Sequence, residues 1–157
     1  MAKVNRGKDF EHQIKLAFER VPGVSIDRLK DSMSGYMGDN TICDFIVYKK
    51  PYEFYFECKA VHGNTLNFNS QIRPNQWNGL IEKSHIEGVH AGFLVWFIDH
   101  DITLYTPVSE LDRLRKCGIK SLNINKLPVD GDYRVIHATK RRVLFDYDME
   151  PFIEYFN

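Results

Sequence analysis

The sequence has few of the features that mark secreted, membrane or metal-cluster proteins. It contains only three cysteines, an odd number without the paired spacing of a zinc site or a disulfide framework; this predicts a reducing compartment, the cytoplasm. The longest apolar run, residues 91–98, is well short of the ~18 residues that a membrane span requires. Residues 1–6 lack the apolar core of a secretory signal. We therefore expect a cytoplasmic protein with no membrane partner.

Excess charge of either sign is also lacking, since 21 lysines and arginines balance 21 acidic residues. Any binding to nucleic acid would therefore have to depend on local basic patches and not on net charge. The six histidines show no metal-ligand spacing, and no Ser-His-Asp or Cys-His arrangement is evident. A chain of 157 residues with 43% hydrophobic residues is long enough to bury the core of one domain, which we expect to span 1–157.

The hydrophobic periodicity predicts an α/β fold, a single domain in which helices flank a central mixed β-sheet. Helices are predicted at 9–20, with Asp9 as N-cap, at 74–87, at 107–116 and, as a short segment, at 148–156. Strands are predicted at 24–29, 40–48, 52–60, 91–98, 102–105, 133–136 and 141–147, and residues 66–69 are expected to be extended or irregular. The near-continuous apolar run 91–98 is typical of a strand at the centre of a sheet.

The strongest chemical signal lies on two neighbouring strands. Asp44 lies on the first, and Glu57-Cys58-Lys59 ends the second, after a turn at 49–51. Because side chains alternate along a strand, Glu57 and Lys59 share one face. Two carboxylates on adjacent strands, with the Cys58 carbonyl between them, are suitable ligands for Mg²⁺. An ammonium beside that ion could orient a water or stabilise a phosphate that gains charge.

The same residues also fit a plain solvated strand face, where glutamate and lysine are common. Two observations favour a functional site. Phe54 and Phe56 mark a core strand, in which an unpaired charge is costly. A helix and a loop rich in glycine and serine, at 30–40, flank the strand pair.

The order of these motifs resembles the PD-(D/E)xK nuclease superfamily, and within it the Holliday-junction resolvases of the RecU and archaeal Hjc types. Residues 6–11 are similar to the opening of these proteins, which ends in a first-helix glutamate, here Glu11. Asp44 is similar to the first metal aspartate, and residues 57–59 to the E-x-K motif. Gln76 resembles the RecU glutamine near the metal and its water.

The resemblance implies a restriction-endonuclease-like core and a Mg²⁺-dependent endodeoxyribonuclease, with Mn²⁺ able to substitute and no small-molecule cofactor. It implies four-way branched DNA as the substrate, resolved by paired nicks, and a homodimer whose two-fold symmetry presents two sites. The compartment would be the cytoplasm, or the host cytoplasm if a phage encodes the protein. The expected catalytic residues are Asp44, Glu57, Lys59, Gln76, Glu11, Ser34 and Ser32. The expected metal ligands are Asp44, Glu57, Glu11 and the backbone carbonyl of Cys58. The residues expected to contact DNA are Arg6, Lys8, Arg28, Lys30, Thr41 and Arg73.

The sequence departs from the family pattern in two places. Cys43 replaces the proline of the superfamily's name, a residue that is not a ligand. RecU proteins carry a long stalk before the aspartate strand, whereas only residues 30–40 are available here. This short loop is closer to the archaeal type, in which a loop serine contributes near the scissile strand. Whether Ser32 or Ser34 would do so stays open.

Several alternatives remain at this point. Glu11 fits a metal ligand or a rim residue paired with Lys8 or Lys15. Phe68 and Trp77 fit either a dimer contact or the core. The function could also be that of another nuclease of this fold, acting in repair or restriction, or of a non-catalytic module that binds DNA junctions. The presence of all four of the most specific site residues speaks against that module.

Overall fold

The computed structural model describes residues 3–29 and 41–157. Within them the helices are α1 (Arg6–Glu19), α2 (Phe68–Gln71), α3 (Pro74–Ser84), α4 (Val108–Lys116) and α5 (Glu150–Glu154). The strands are β1 (Ser25–Arg28), β2 (Phe45–Lys49), β3 (Tyr52–Val61), β4 (Thr65–Asn67), β5 (Val89–Phe97), β6 (Ile102–Pro107), β7 (Ser121–Asn123), β8 (Arg134–Val135), β9 (Ala138–Lys140) and β10 (Phe145–Tyr147). None of the described helices is long and apolar enough to cross a membrane.

Six of these strands form one mixed sheet in the order β1-β2-β3-β5-β6-β8. The central pair, β3 and β5, is parallel, and the other neighbours are antiparallel. Strands β4 and β7, and strands β9 and β10, form two small accessory sheets. The predicted mixed α/β sheet and the central position of the apolar run 91–98 are therefore confirmed.

Both faces of the sheet are buried, because helices cover each of them. On one face Phe54 and Phe56 of β3 pack in a cluster with α1, where the Phe18 and Phe56 rings stack with centroids 5.4 Å apart. On the other face Tyr55 packs in a cluster that includes Leu80 of α3. The strand alternation predicted from the sequence is thus confirmed, and the face that carries Glu57 is a buried one.

Several predicted boundaries were wrong; the strand predicted at 141–147 is a strand only at Phe145–Tyr147, and the helix predicted at 74–87 ends at Ser84. Helix α1 begins at Arg6, not at Asp9, because Asn5 caps it by accepting a hydrogen bond from the Lys8 backbone N–H at 3.1 Å. Residues 68–71 are helical, since Asn67 accepts from two backbone N–H groups of that turn. Strand β2 begins at Phe45, so Asp44 lies just before the strand.

Candidate active site

Asp44 lies at the point where β2 begins and β3 continues past it. Its backbone N–H donates to the Phe56 carbonyl at 3.0 Å, and its Oδ2 accepts from the Cys58 backbone N–H at 2.8 Å. The carboxylate therefore takes the place of a backbone acceptor on the ladder between the two strands. In an extended strand the N–H and C=O of one residue point to the same side. The Cys58 carbonyl thus faces the side on which Asp44 lies.

Glu57 is almost completely buried beside Asp44, with 5% of its surface exposed. Burial is the largest cause that raises the pKa of Glu57 above its ordinary value, followed by the negative charge of Asp44. The two carboxyl groups also share a hydrogen bond, and the positive charge of Lys59 acts in the opposite direction. The fold therefore holds two carboxyl groups close together although their negative charges repel each other.

This donor set suits a divalent ion. It consists of oxygen atoms alone, two carboxylates and a backbone carbonyl, which is the chemistry that Mg²⁺ prefers. A cation between Asp44 and Glu57 would relieve the repulsion that raises the pKa of Glu57. Within residues 3–29 and 41–157, no group of three or more His, Cys, Asp or Glu side chains is arranged to hold a metal ion. An ion here would thus need water or substrate oxygens to complete its coordination, as Mg²⁺ commonly does.

Lys59 and Gln76 connect the strand pair to helix α3. The Lys59 Nζ lies 3.6 Å from Glu57 Oε1 and donates to Gln76 Oε1 at 3.2 Å. Gln76 is 2% exposed, and the same Oε1 accepts from the Arg73 backbone N–H at 3.3 Å. One amide oxygen therefore caps the helix and positions the ammonium. The structure brings Asp44, Glu57, Lys59 and Gln76 together, and their catalytic roles stay a prediction.

Glu11 lies at the edge of this group. Its Oε2 accepts from Arg28 Nη2 at 2.6 Å, so it pairs with a residue of β1 that neither sequence alternative named. Its negative charge also raises the pKa of Glu57, but less than burial and Asp44 do. A role of Glu11 as a metal ligand stays a prediction.

A cavity of about 200 Å³ opens beside Glu11 and is largely basic. Its lining comprises Lys8, Glu11, His12, Lys15, Arg28 and Phe45. Sequence reasoning named Lys8 and Arg28 as DNA contacts, but it did not name His12 as one, and it considered Lys15 only as a partner of Glu11. The sequence pattern indicates both residues, because positions 8, 11, 12 and 15 recur at helical spacing and share one face of α1. A larger cavity, about 380 Å³, shares none of these residues and is lined by aromatic rings and the side chains of Asp132 and Arg134.

The other predicted DNA contacts are spread around the site. Arg6 forms an ion pair with Asp9 at 3.5 Å, and the Thr41 carbonyl accepts from Asn75 Nδ2 at 3.2 Å. Arg73 is exposed at the start of α3. Lys30, Ser32 and Ser34 lie outside the described residues.

Three residues discussed from the sequence lie in the core. Cys43 is buried, its thiol donates to the Phe45 carbonyl at 3.4 Å, and burial raises the pKa of that thiol to about 12. It packs as a small apolar residue. Phe68 and Trp77 are also buried, with ring centroids 5.5 Å apart.

The comparisons with known proteins bear on the fold. No protein-family model matches the chain, and no curated protein matches it. A solved structure does match, that of Hjc from Archaeoglobus fulgidus, a Holliday junction resolvase from an archaeal hyperthermophile, with a TM-score of 0.55. The chain has the fold of this resolvase. The match covers 76% of this chain and 89% of Hjc at 15% sequence identity. The likeness to the Hjc fold, predicted from the order of the motifs, is confirmed at the level of the backbone.

Proposed function

We propose that this chain is an endodeoxyribonuclease that resolves four-way DNA junctions by metal-dependent, paired nicking. One observation carries the proposal: a buried glutamate, Glu57, lies beside the half-buried Asp44 and next to a lysine that a buried glutamine positions, on the sheet of an Hjc-like fold. Buried charge of this kind is costly to the fold, and a function that needs it explains why it is there.

The proposed cofactor is Mg²⁺, with Mn²⁺ as a substitute, held by Asp44, Glu57 and the Cys58 carbonyl. When bound, such an ion supplies a more acidic water and neutralises charge on the phosphate. Glu11 is the further ligand that the resemblance suggests. No small-molecule cofactor is part of the proposal.

The chain's own residues supply the remaining chemistry. Lys59 presents an ammonium on the face of the carboxylates, where it would stabilise the charge that develops on the attacked phosphate. Gln76 fixes that ammonium through the 3.2 Å hydrogen bond, so little reorganisation is needed during the reaction. Arg28, held by Glu11 at 2.6 Å, faces the basic cavity and would bind a neighbouring phosphate together with Lys8.

The remaining parts of the proposal come from the family resemblance. Residues 1–157 would form one nuclease domain, and a homodimer would place two sites on the junction for paired nicks. One of Ser32 and Ser34 would lie near the scissile strand. Arg6, Lys30, Thr41 and Arg73 would contact the DNA backbone. The protein would act in the cytoplasm, or in that of a host if a phage encodes it.

The proposal is tested by nicking assays on a labelled four-way junction, with and without Mg²⁺. We expect Asp44→Asn and Glu57→Gln to bind the junction as the wild type does and to leave it uncut. Asp27→Asn is a matched control, because Asp27 is an exposed aspartate on β1; it should cut normally. Normal cutting by either site variant would refute the assignment of the site. A wild-type protein that binds junctions without cutting them would instead be a junction-binding module.

A further inference from the structure

Helix α4 presents an arginine that two other helices hold in place. The guanidinium of Arg115 stacks on the indole of Trp77 from α3, with its carbon 4.7 Å from the ring centroid. Its Nη2 also donates to Asn69 Oδ1 of α2 at 3.0 Å. Trp77 is 5% exposed, so the ring is a fixed platform. A cation over a tryptophan face is among the more favourable arrangements of this type.

The charge of Arg115 is not balanced by a carboxylate, in contrast to its neighbours on the helix. Arg113 donates twice to Glu110, at 2.9 and 2.6 Å, and Lys116 lies 2.8 Å from Asp112. Among the residues that the structure describes, Arg115 has an aromatic ring and a neutral amide as partners, and no ion pair. A guanidinium has five N–H donors, and the bond to Asn69 uses one. The others stay available on an exposed residue.

Two cavities of about 220 Å³ each lie on either side of Arg115 and Asn69. The first is bounded by Lys120, whose backbone carbonyl accepts from the Phe68 N–H at 3.0 Å and so lies beside α2. The second is bounded by Trp77 and reaches Pro74, the first residue of α3. The two cavities together form a concave surface around Arg115. It carries positive charge and ends at the helix turn that positions Lys59.

This surface and the candidate active site share helix α3. Gln76, which accepts from Lys59 at 3.2 Å, is the residue next to Trp77. Consecutive Cα atoms are about 3.8 Å apart, so the residue that carries the platform of Arg115 adjoins, along α3, the residue that positions Lys59. A DNA strand bound at Asp44 and Glu57 that runs along α3 would bring further phosphates to this surface.

We infer that Arg115, with Lys120, binds backbone phosphates of the DNA arm that lies beyond the cut strand. The inference rests on the proposed function and adds a second basic contact surface on the α3 side, separate from the cavity beside α1. Trp77 and Asn69 fix the guanidinium in advance, so little side-chain entropy is lost when a phosphate binds.

The test is the salt dependence of junction binding, measured by fluorescence anisotropy in EDTA so that no strand is cut. We expect Arg115→Gln to bind more weakly and to lower the slope of log affinity against log salt by about 0.9, the value for one phosphate contact. The ratio of the wild-type affinity to the Arg115→Gln affinity should therefore fall about 3.5-fold between 50 and 200 mM salt. Arg115→Lys keeps the charge without the planar stack, so it should restore most of the slope.

Lys116→Gln is the matched control, because it removes one positive charge from the adjacent position, where Asp112 already neutralises it. It should keep the wild-type slope. The inference is wrong if Arg115→Gln also keeps that slope, or if both variants lose it equally. A change in sedimentation mass for Arg115→Gln would also refute it, because Arg115 would then be a subunit contact. A wild-type protein that binds no junction would refute the proposed function as well, so the two failures are distinguishable.

Discussion

Replacing Glu57 by glutamine should stabilise the protein when no divalent ion is present. The carboxyl is 5% exposed and lies against Asp44, and burial together with that negative charge raises its pKa. An amide has the same shape, carries no charge, and can donate to Asp44 while its oxygen accepts from Lys59. The variant therefore removes the repulsion and keeps the contacts.

The size of the effect follows from the chemistry of the pair. A buried carboxyl can avoid ionisation by keeping its proton. Keeping it costs about 1.4 kcal/mol of folding free energy for each unit by which the pH exceeds the ordinary glutamate pKa of about 4.3. The cost at pH 7.5 is thus at most about 4 kcal/mol. Lys59, 3.6 Å from Glu57, offsets part of this. We expect Glu57→Gln to raise the free energy of unfolding by about 1–3 kcal/mol.

The pH dependence has a definite sign. Because the pKa of Glu57 is raised on folding, the folded state binds more protons than the unfolded chain above pH ~4.3. Wild-type stability should therefore fall as the pH rises from about 5.5 to about 7.5, by at most about 1.4 kcal/mol per pH unit from this group. The glutamine variant should lose this contribution to the slope.

Urea denaturation in EDTA, repeated with Mg²⁺, measures these quantities. Ligand binding to the folded state alone stabilises it, so Mg²⁺ should stabilise the wild type and leave Glu57→Gln nearly unchanged. Glu53→Gln, at the half-buried start of β3, controls for the substitution. The reasoning fails if Glu57→Gln is less stable than the wild type in EDTA, or if Mg²⁺ stabilises both proteins equally.

Two further predictions concern residues around the sheet. A Cβ on Gly79 would press into the side chain of Ile42, two residues before Asp44, so Gly79→Ala should slow junction cutting. It should also destabilise the protein, because a crowding cost of about 1–3 kcal/mol outweighs a helix-propensity gain of about 1 kcal/mol. Asn78→Ala, at an exposed neighbour, should neither slow cutting nor destabilise the protein, and normal cutting by Gly79→Ala would contradict this packing. Burial lowers the pKa of His90, although the charge of Asp132 opposes the shift. The contribution of His90 to stability should therefore be intact above pH ~6.5 and decline below it, because the unfolded chain then takes up a proton. Urea midpoints of the wild type and His90→Asn between pH 5 and 7.5 test this, and equal acid sensitivity of the two proteins would show that another group is responsible.

The sequence was sufficient for the fold class and for the proximity of Asp44 and Glu57 in the candidate site, because both depend on local patterns. Alternation placed Phe54 and Phe56 on one face of β3 and Glu57 on the other, and the apolar run at 91–98 marked the middle of the sheet. The proximity of Asp44 to Glu57 then followed from a hairpin with a short turn. Pro74 marked the start of the helix that carries Gln76, whereas the expectation that Gln76 lies near the metal came only from the resemblance to the RecU glutamine.

The rest depended on tertiary contacts that the sequence does not encode locally. The pairing of Glu11 with Arg28 joins residues 17 positions apart, and no spacing rule selects that partner over Lys8 or Lys15. The start of α1 was misplaced because Asp9 was taken as the cap, whereas Asn5, four residues earlier, caps the helix. Arg115 was missed because its platform, Trp77, belongs to another helix.

The geometry also shows how the fold positions the chemistry. Asp44 is held by the Cys58 N–H of the next strand, and Lys59 by the capping glutamine of α3. Asp44 is thereby fixed by strand β3, and Lys59 by helix α3. Functional groups on strands and helix ends are held more rigidly than groups on loops.

Junction resolution itself is measured by giving the wild-type protein a labelled four-way junction and a linear duplex of the same sequence in one reaction with Mg²⁺, and mapping the cuts on every strand. We expect nicks at symmetric positions in two strands of like polarity of the junction, an intact duplex, and no cutting in EDTA. Equal cutting of the duplex, or cutting that persists in EDTA, would contradict the proposed function.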